Sequence, residues 1–214
     1  MAVAAKICGL AQDDAVAAAV AGGAAYVGFV FYPPSPRSLS RQQAARLCAA
    51  VPAGVTRVGL FVDADDHSIT AVLDMAPLDM LQFHGHESPQ RVAEAKARFQ
   101  CKVMKVVAIA GPDDLAAAAD YEDVADMLLF DAKPPIRPDA LPGGNGLAFD
   151  WGLIAGRSWR RPWMLSGGLT AELLPEAVRV SGAAIVDVSS GVETRPGHKD
   201  PAKISAFLAA AHAL

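Results

Sequence analysis

The sequence predicts an α/β fold, a single (βα)8 barrel with a parallel eight-stranded sheet spanning residues 1–214. Three observations carry that expectation. Eight short, apolar, β-branched runs recur along the chain at a pitch of about 25 residues. Helical segments lie between them. The first run ends in Cys8-Gly9-Leu10, with neither the GxGxxG nor the GxxxxGK[ST] loop that an open doubly wound sheet carries there.

The runs, in order, are Ala5–Cys8, Tyr26–Phe31, Arg57–Val62, Met80–His84, Lys102–Ala108, Met127–Asp131, Trp163–Ser166 and Ile185–Ser189. They are apolar on both faces, as strands covered on both sides must be. The helices expected between them are Asp13–Gly22, Ser40–Ala50, Asp66–Met75, Ser88–Phe99, Pro112–Asp120, Thr170–Ser181 and Asp200–Leu214. Most open on an acidic residue, serine or proline, which suits a first turn rich in unpaired N–H groups. Before the seventh strand, Phe149–Gly156 has room only for a short helix. No linker divides the chain. The Pro/Gly-rich stretch Lys133–Gly146 reads as a long loop after strand six.

The chain is 52% hydrophobic and carries 19 basic against 23 acidic residues, a net charge of −4. That excludes disorder and argues against a nucleic-acid clamp, which needs a basic face. It leaves room for a small anion site built from backbone amides. The three cysteines, Cys8, Cys48 and Cys101, are far apart and form no CxxC. Such a set fits a reducing cytoplasm rather than a disulfide framework or a zinc site. Residues Ala15 to Pro36 carry no charge, long enough to suggest a membrane span. Gly22-Gly23 interrupts the run, and Tyr26–Phe31 has strand composition, so a helix followed by a buried strand accounts for it.

A barrel gathers its chemistry at the C-terminal ends of its strands. There lie Cys8, the loop Pro33-Pro34-Ser35-Pro36-Arg37-Ser38, Asp63, Gln82 with His84, Asp131, Ser166-Gly167-Gly168, and Asp187-Val188-Ser189-Ser190-Gly191. Gly168, Ser190 and Gly191 sit in Gly/Ser loops after strands seven and eight, the usual phosphate site of barrels. Ordinary glycine turns are the plain alternative, but two such loops on adjacent strands favour the anion site. Asp131 closes an apolar run, and a carboxylate there needs solvent or a partner. An ion pair with Lys133 or a loop cap would satisfy it without any catalytic role. Arg37 stands among prolines that stiffen its loop, in position to meet a carboxylate. An exposed loop arginine is its plain reading. Cys8 by itself reads first as an inert buried thiol, as most strand-end cysteines are. His84-Gly85-His86 lacks a second ligand at metal spacing, so no metal is expected. Neither Cys48 nor Cys101 is assigned a role.

Taken together, Lys6-Ile7-Cys8-Gly9-Leu10, Ser35-Pro36-Arg37-Ser38, Leu81-Gln82-Phe83-His84-Gly85, Leu129-Phe130-Asp131-Ala132, Gly143-Gly144-Asn145-Gly146 with Phe149-Asp150-Trp151, Leu165-Ser166-Gly167-Gly168-Leu169 and Asp187–Glu193 resemble the phosphoribosylanthranilate isomerase family of tryptophan biosynthesis, a TIM-barrel family. The likeness runs end to end. It departs from the family at Leu147-Ala148, where a polar pair is common. The resemblance implies an isomerase performing an Amadori rearrangement, with Asp131 as general acid and Cys8 as general base. It implies that Arg37 meets the anthranilate carboxylate, that His84 belongs to the substrate site, and that backbone near Gly168, Ser190 and Gly191 holds the phosphate. Cys8 must act as a thiolate, so the site is expected to stabilise its anion. No cofactor is implied. The partner is a small phosphosugar, with no nucleic acid and no membrane, and the chain is expected as a monomer or homodimer.

Competing readings predict other residues. An indole-3-glycerol-phosphate synthase would show lysine–glutamate pairs at strand ends and a longer N-terminus; the sequence displays neither. A two-substrate isomerase that also handles the histidine-pathway aminoaldose would carry aspartate in place of Cys8. A phosphosugar-binding barrel without activity would need neither Cys8 nor Asp131.

Overall fold

The computed structural model describes residues 2–135 and 141–214. Eight parallel strands close into a barrel in sequence order: β1 (Ala4–Cys8), β2 (Tyr26–Val30), β3 (Thr56–Phe61), β4 (Met80–Phe83), β5 (Lys102–Ile109), β6 (Met127–Ala132), β7 (Trp163–Leu165) and β8 (Ile185–Val188). Closure is made by β1 against β8, with Ala4 opposite Ile185 and Ile7 opposite Val188. The helices are α1 (Asp13–Ala21), α2 (Arg41–Ala49), α3 (Asp66–Leu73), α4 (Pro89–Phe99), α5 (Ala116–Ala119), α6 (Leu174–Ser181) and α7 (Pro201–His212). A two-stranded hairpin, β9 (Glu193–Arg195) with β10 (His198–Lys199), follows the eighth strand.

Side chains cap several helices as the sequence suggests. Ser40 and Gln43 form a reciprocal capping box at α2. Ser88 accepts from Arg91 N ahead of Pro89, and Asp200 accepts from Ala202 N ahead of Pro201. In both, proline occupies a first-turn position whose N–H has no helical partner. The uncharged run Ala15–Pro36 divides into α1, the Gly22-Gly23 turn and β2. Among the described residues, no helix is long and apolar enough to cross a membrane.

Two helical segments differ from the sequence expectation. Pro112–Asp120 splits into a 3-10 turn, Pro112–Leu115, and the single turn of α5. The helix expected from Thr170 begins only at Leu174. Thr170 Oγ1 takes the N–H of Leu173 in a local turn, which satisfies that donor without a helix. Before β7 there is only the 3-10 turn Trp151–Leu153, as the short Phe149–Gly156 allows. Five residues of the long loop after strand six, 136–140, lie outside the described residues.

Two cores result. The larger lies between the strands and the helices and includes Ile7, Phe29, Leu47, Phe83, Phe130 and Phe207. The smaller fills the barrel interior with Val58, Met80, Met104, Met127, Leu129 and Met164. Unbranched methionines adapt to the taper of a barrel and form an apolar floor. The polar residues described next stand above it.

Candidate active site

Alternation along the strands decides what enters the barrel. Lys6 and Cys8 are two apart on β1, as are Met80 and Gln82 on β4, Leu129 and Asp131 on β6, and Ile185 and Asp187 on β8. In each of the last three pairs, the first residue belongs to or packs on the floor and the second lines the cavity above it. That cavity is about 770 Å³, counting its open mouth. Cys8, Arg37, His84, Asp131, Gly168, Ser190 and Gly191 all line it. Every site residue expected from the sequence is thus brought to one place.

Asp131 is buried, and its Oδ1 accepts from Ala132 N at 2.8 Å. Its Oδ2 faces His84 Nε2 at 3.5 Å. The ion pair with Lys133 does not form; Lys133 instead binds Asp114 at 2.8 Å. Lys133 lies just beyond the end of β6, and its exposed ammonium pairs with the half-buried Asp114. His84 Nε2 and Gln82 Oε1 are buried without hydrogen-bond partners among the described residues, and both residues face the cavity. Buried polar atoms of this kind ordinarily have partners, so these two are open to a ligand's hydroxyls. Gly143 packs directly over His84 and Asp131. A Cβ there would lie 2.5 Å from His84 Cε1 and 2.9 Å from Asp131 Oδ2.

Arg37 is buried rather than exposed. Glu193 clamps it through Nε at 2.8 Å and Nη2 at 2.9 Å. Nη2 also approaches Gly144 O at 3.3 Å. Lys199, whose side chain is fully buried, donates to Glu193 Oε1, Ser189 O and Ser189 Oγ. The two cations hold the Glu193 carboxyl below its usual range, although burial opposes this. Burial lowers Lys199 despite Glu193.

Cys8 shows a different balance from the expected one. Burial pushes its thiol up, with Asp187 adding to the effect; Lys6 and Lys199 pull the other way without offsetting it. The cavity as it stands favours the thiol rather than the thiolate. Three buried lysine–acid pairs that the sequence did not display are also present, none with its lysine at the end of a barrel strand. Lys6 binds Asp187, Lys105 binds Glu87 and Lys199 binds Glu193, each at 2.8 Å. Lys6 and Asp187 are 181 residues apart and meet only because β1 closes on β8. Lys6 and Lys199 escaped the sequence reading. For Lys6 there was a signal: a lysine inside a strand buried on both faces must find a counter-charge.

The glycine loops are tightly fitted. Gly168 has φ +63°, and a Cβ there would lie 2.9 Å from Leu147 C. A Cβ on Gly191 would lie 1.9 Å from Leu169 O. The loop 141–148 therefore meets Gly168 through its backbone, while the Leu147 side chain is exposed. An apolar Leu147-Ala148 is compatible with that contact because the main chain makes it.

A family model described as N-(5'-phosphoribosyl)anthranilate (PRA) isomerase matches residues 5–210. The chain belongs to this family of isomerases. An N-(5'-phosphoribosyl)anthranilate isomerase of Rhodospirillum centenum is 60% identical over 214 residues, covering 100% of both chains. The phosphoribosyl anthranilate isomerase of Thermotoga maritima superposes with a TM-score of 0.88 at 36% identity, covering 99% of this chain and 100% of that one. A phosphoribosyl anthranilate isomerase structure in complex with reduced 1-(o-carboxyphenylamino)-1-deoxyribulose 5-phosphate superposes with a TM-score of 0.83 at 34% identity, with 99% and 100% coverage. The phosphoribosylanthranilate isomerase family thus accounts for the barrel over residues 5–210.

Proposed function

We propose that residues 1–214 act as one catalytic unit in the cytoplasm. The unit converts N-(5-phospho-β-D-ribosyl)anthranilate into 1-(2-carboxyphenylamino)-1-deoxy-D-ribulose 5-phosphate, an isomerisation of tryptophan biosynthesis. The observation that carries the reading is the placement of Cys8 and Asp131 in one cavity, between Arg37 and the Gly168 and Ser190-Gly191 loops.

Each step then has a residue. Asp131 gives its proton to the furanose ring oxygen. The C1′–O4′ bond breaks, and the anilino nitrogen lone pair closes a C1′=N iminium. The positive iminium acidifies the C2′ hydrogen, and the Cys8 thiolate removes it. The C–H electron pair becomes C1′=C2′ and discharges the nitrogen. The resulting enol tautomerises to the ketone as C1′ takes the proton from Cys8 and O2′ returns one to Asp131. Both groups are reset, and no atom is gained or lost.

The remaining residues fix the substrate's two ends. Glu193 occupies Nε and Nη2 of Arg37, which leaves Nη1 for the anthranilate carboxylate. The amides of the glycine loops take the phosphate. Gln82 Oε1 and His84 Nε2 meet the ribose hydroxyls.

The deciding experiment follows turnover by the fluorescence of the anthranilate ring. Cys8→Ser is expected to lose at least about 10²-fold in turnover, the lower range for general-base catalysis, with near-normal binding of a product analogue. The variant Cys48→Ser/Cys101→Ala should stay active. Near wild-type turnover of Cys8→Ser removes Cys8 from the mechanism.

A further inference from the structure

Lys6 is a fully buried cation that the rearrangement does not use. Its side chain is 0% exposed, between the methionine floor and Cys8. Nζ binds Asp187 Oδ1 at 2.8 Å, and Asp187 Oδ2 accepts from Ser166 Oγ at 3.1 Å. Cys8 stands two residues along the same strand, on the same inward face. Gly28 on β2 leaves room for the two side chains side by side. A Cβ on Gly28 would lie 2.9 Å from Cys8 Sγ and 3.3 Å from Lys6 Cε.

A buried cation that served only the barrel would gain little from this position. Replacing a buried ion pair with apolar side chains of similar volume is often neutral or stabilising. The floor immediately below is built that way, from Met80, Met104, Met127 and Met164. Burial opposes charge on Lys6. Asp187 and then Cys8 outweigh that opposition and hold its ionisation above the ordinary lysine range, so the ammonium keeps its proton.

We infer that Lys6, held by Asp187, is a positioning residue that sets how readily Cys8 becomes the thiolate. The inference rests on Cys8 being the general base. Lys6 does not touch substrate. It supplies a fixed positive charge beside the sulfur, and Asp187 keeps it from turning away. When Cys8 takes the C2′ proton, Lys6 retains its own.

The other charged groups around Cys8 act differently. Asp187 on β8 disfavours the thiolate, and Lys199 on β10 favours it more weakly than Lys6 does. Gly28 on β2 contributes no charge. Asp131, His84 and Arg37 line other parts of the same cavity.

The test measures Cys8 directly. Alkylation by iodoacetamide, mapped to the Cys8 peptide, is followed against pH in wild type, in Lys6→Met and in Lys6→Met/Asp187→Asn. The double variant covers the outcome in which Lys6→Met alone fails to fold, since it leaves no unpaired carboxylate. In Lys6→Met the midpoint for Cys8 should move up by at least about one pH unit, a tenfold loss of thiolate at neutral pH; in the double variant, which also loses the opposing charge of Asp187, it should still move up, but by less. The alkylation of Cys101 should not move. kcat should fall in parallel at neutral pH and recover at higher pH, with KM little changed. An unshifted Cys8 midpoint in a folded variant overturns the role of Lys6 and leaves Cys8 as base untouched. A shifted midpoint with unchanged kcat would instead count against Cys8 as the base.

Discussion

Glu193 holds Arg37 by two parallel hydrogen bonds, Nε–Oε1 at 2.8 Å and Nη2–Oε2 at 2.9 Å. The two residues are 156 apart in sequence, and the hairpin β9–β10 brings them together. Gly197, in the turn of that hairpin, sits so close to Pro36 that a Cβ would lie 2.4 Å from its carbonyl oxygen. The hairpin therefore fixes the proline loop from outside while Glu193 fixes its arginine from within. A guanidinium held at two nitrogens is already oriented before substrate arrives, so less freedom is lost on binding.

The first prediction follows from that clamp. Arg37→Ala should raise KM strongly, with a smaller loss of kcat. A charge-assisted hydrogen bond is worth roughly 1.5–3 kcal/mol, or about ten- to a hundredfold in binding. Glu193→Gln should raise KM as well. It should also lower the thermal midpoint, because Arg37 and Lys199 would then share one neutral amide, and breaking a buried pair costs about 3–5 kcal/mol. Steady-state kinetics and a melting curve check both. An unchanged KM in Arg37→Ala means that the arginine only anchors its loop.

Asp131→Asn should abolish turnover while the barrel persists. The asparagine can still accept from Ala132 N as Asp131 does, so the local structure has no reason to move. It cannot supply the ring-opening proton, and general acid catalysis contributes about 10²–10⁴-fold. Circular dichroism and a progress curve are sufficient. Turnover within a few-fold of wild type would remove Asp131 from the role of acid.

What the sequence showed and what it hid divide along physical lines. The eight strands are legible because each is apolar on both faces, and the cavity follows because strand ends converge in a barrel. That rule places Cys8, Asp131 and His84 at the cavity, and the family resemblance supplies their roles. Lys6 and Asp187 illustrate the limit. Each looks like an isolated charge in an apolar run, and only barrel closure makes them a pair. Lys199 and the hairpin are harder still. Three residues, a Pro196-Gly197 turn and two residues carry too short a pattern to distinguish from loop. The late start of α6 depends on a single side-chain hydrogen bond from Thr170, which competes with the helix at a level that composition does not register.

Inorganic phosphate should inhibit competitively, since the glycine loops are expected to hold the substrate's phosphate. Gly168→Asp should defeat binding twice over. It places a negative charge in the anion site, and it requires a side chain at φ +63° with the Leu147 backbone 2.9 Å from Cβ. A second variant, Ser190→Asp, brings the charge without the positive-φ requirement and should raise KM too. Initial rates against phosphate up to tens of millimolar check the first claim, a range that covers weak anion binding at about the millimolar level. No competition there, together with an unchanged KM in Ser190→Asp, would place the phosphate elsewhere.

The last prediction concerns stability at alkaline pH. Cys48, on α2, is completely buried in the larger core, and burial pushes its thiol from the ordinary value of 9.0 up to about 11. Below pH 9 the thiol is neutral in both the folded and unfolded chain, and its contribution is fully present. Between about pH 9 and 11 the unfolded chain releases this proton while the folded chain keeps it. Unfolding is therefore favoured as pH rises, by an amount of the order of 2 kcal/mol for this group. Cys8 acts in the same direction. Urea unfolding of wild type and Cys48→Ala at pH 8 and pH 10.5 separates the Cys48 contribution from every other alkaline effect. The alanine variant should start less stable, because it leaves a small cavity in the core, yet lose less between the two pH values. If both proteins lose the same stability, Cys48 ionises in the folded barrel as readily as in the unfolded chain, and its burial does not govern the alkaline limit.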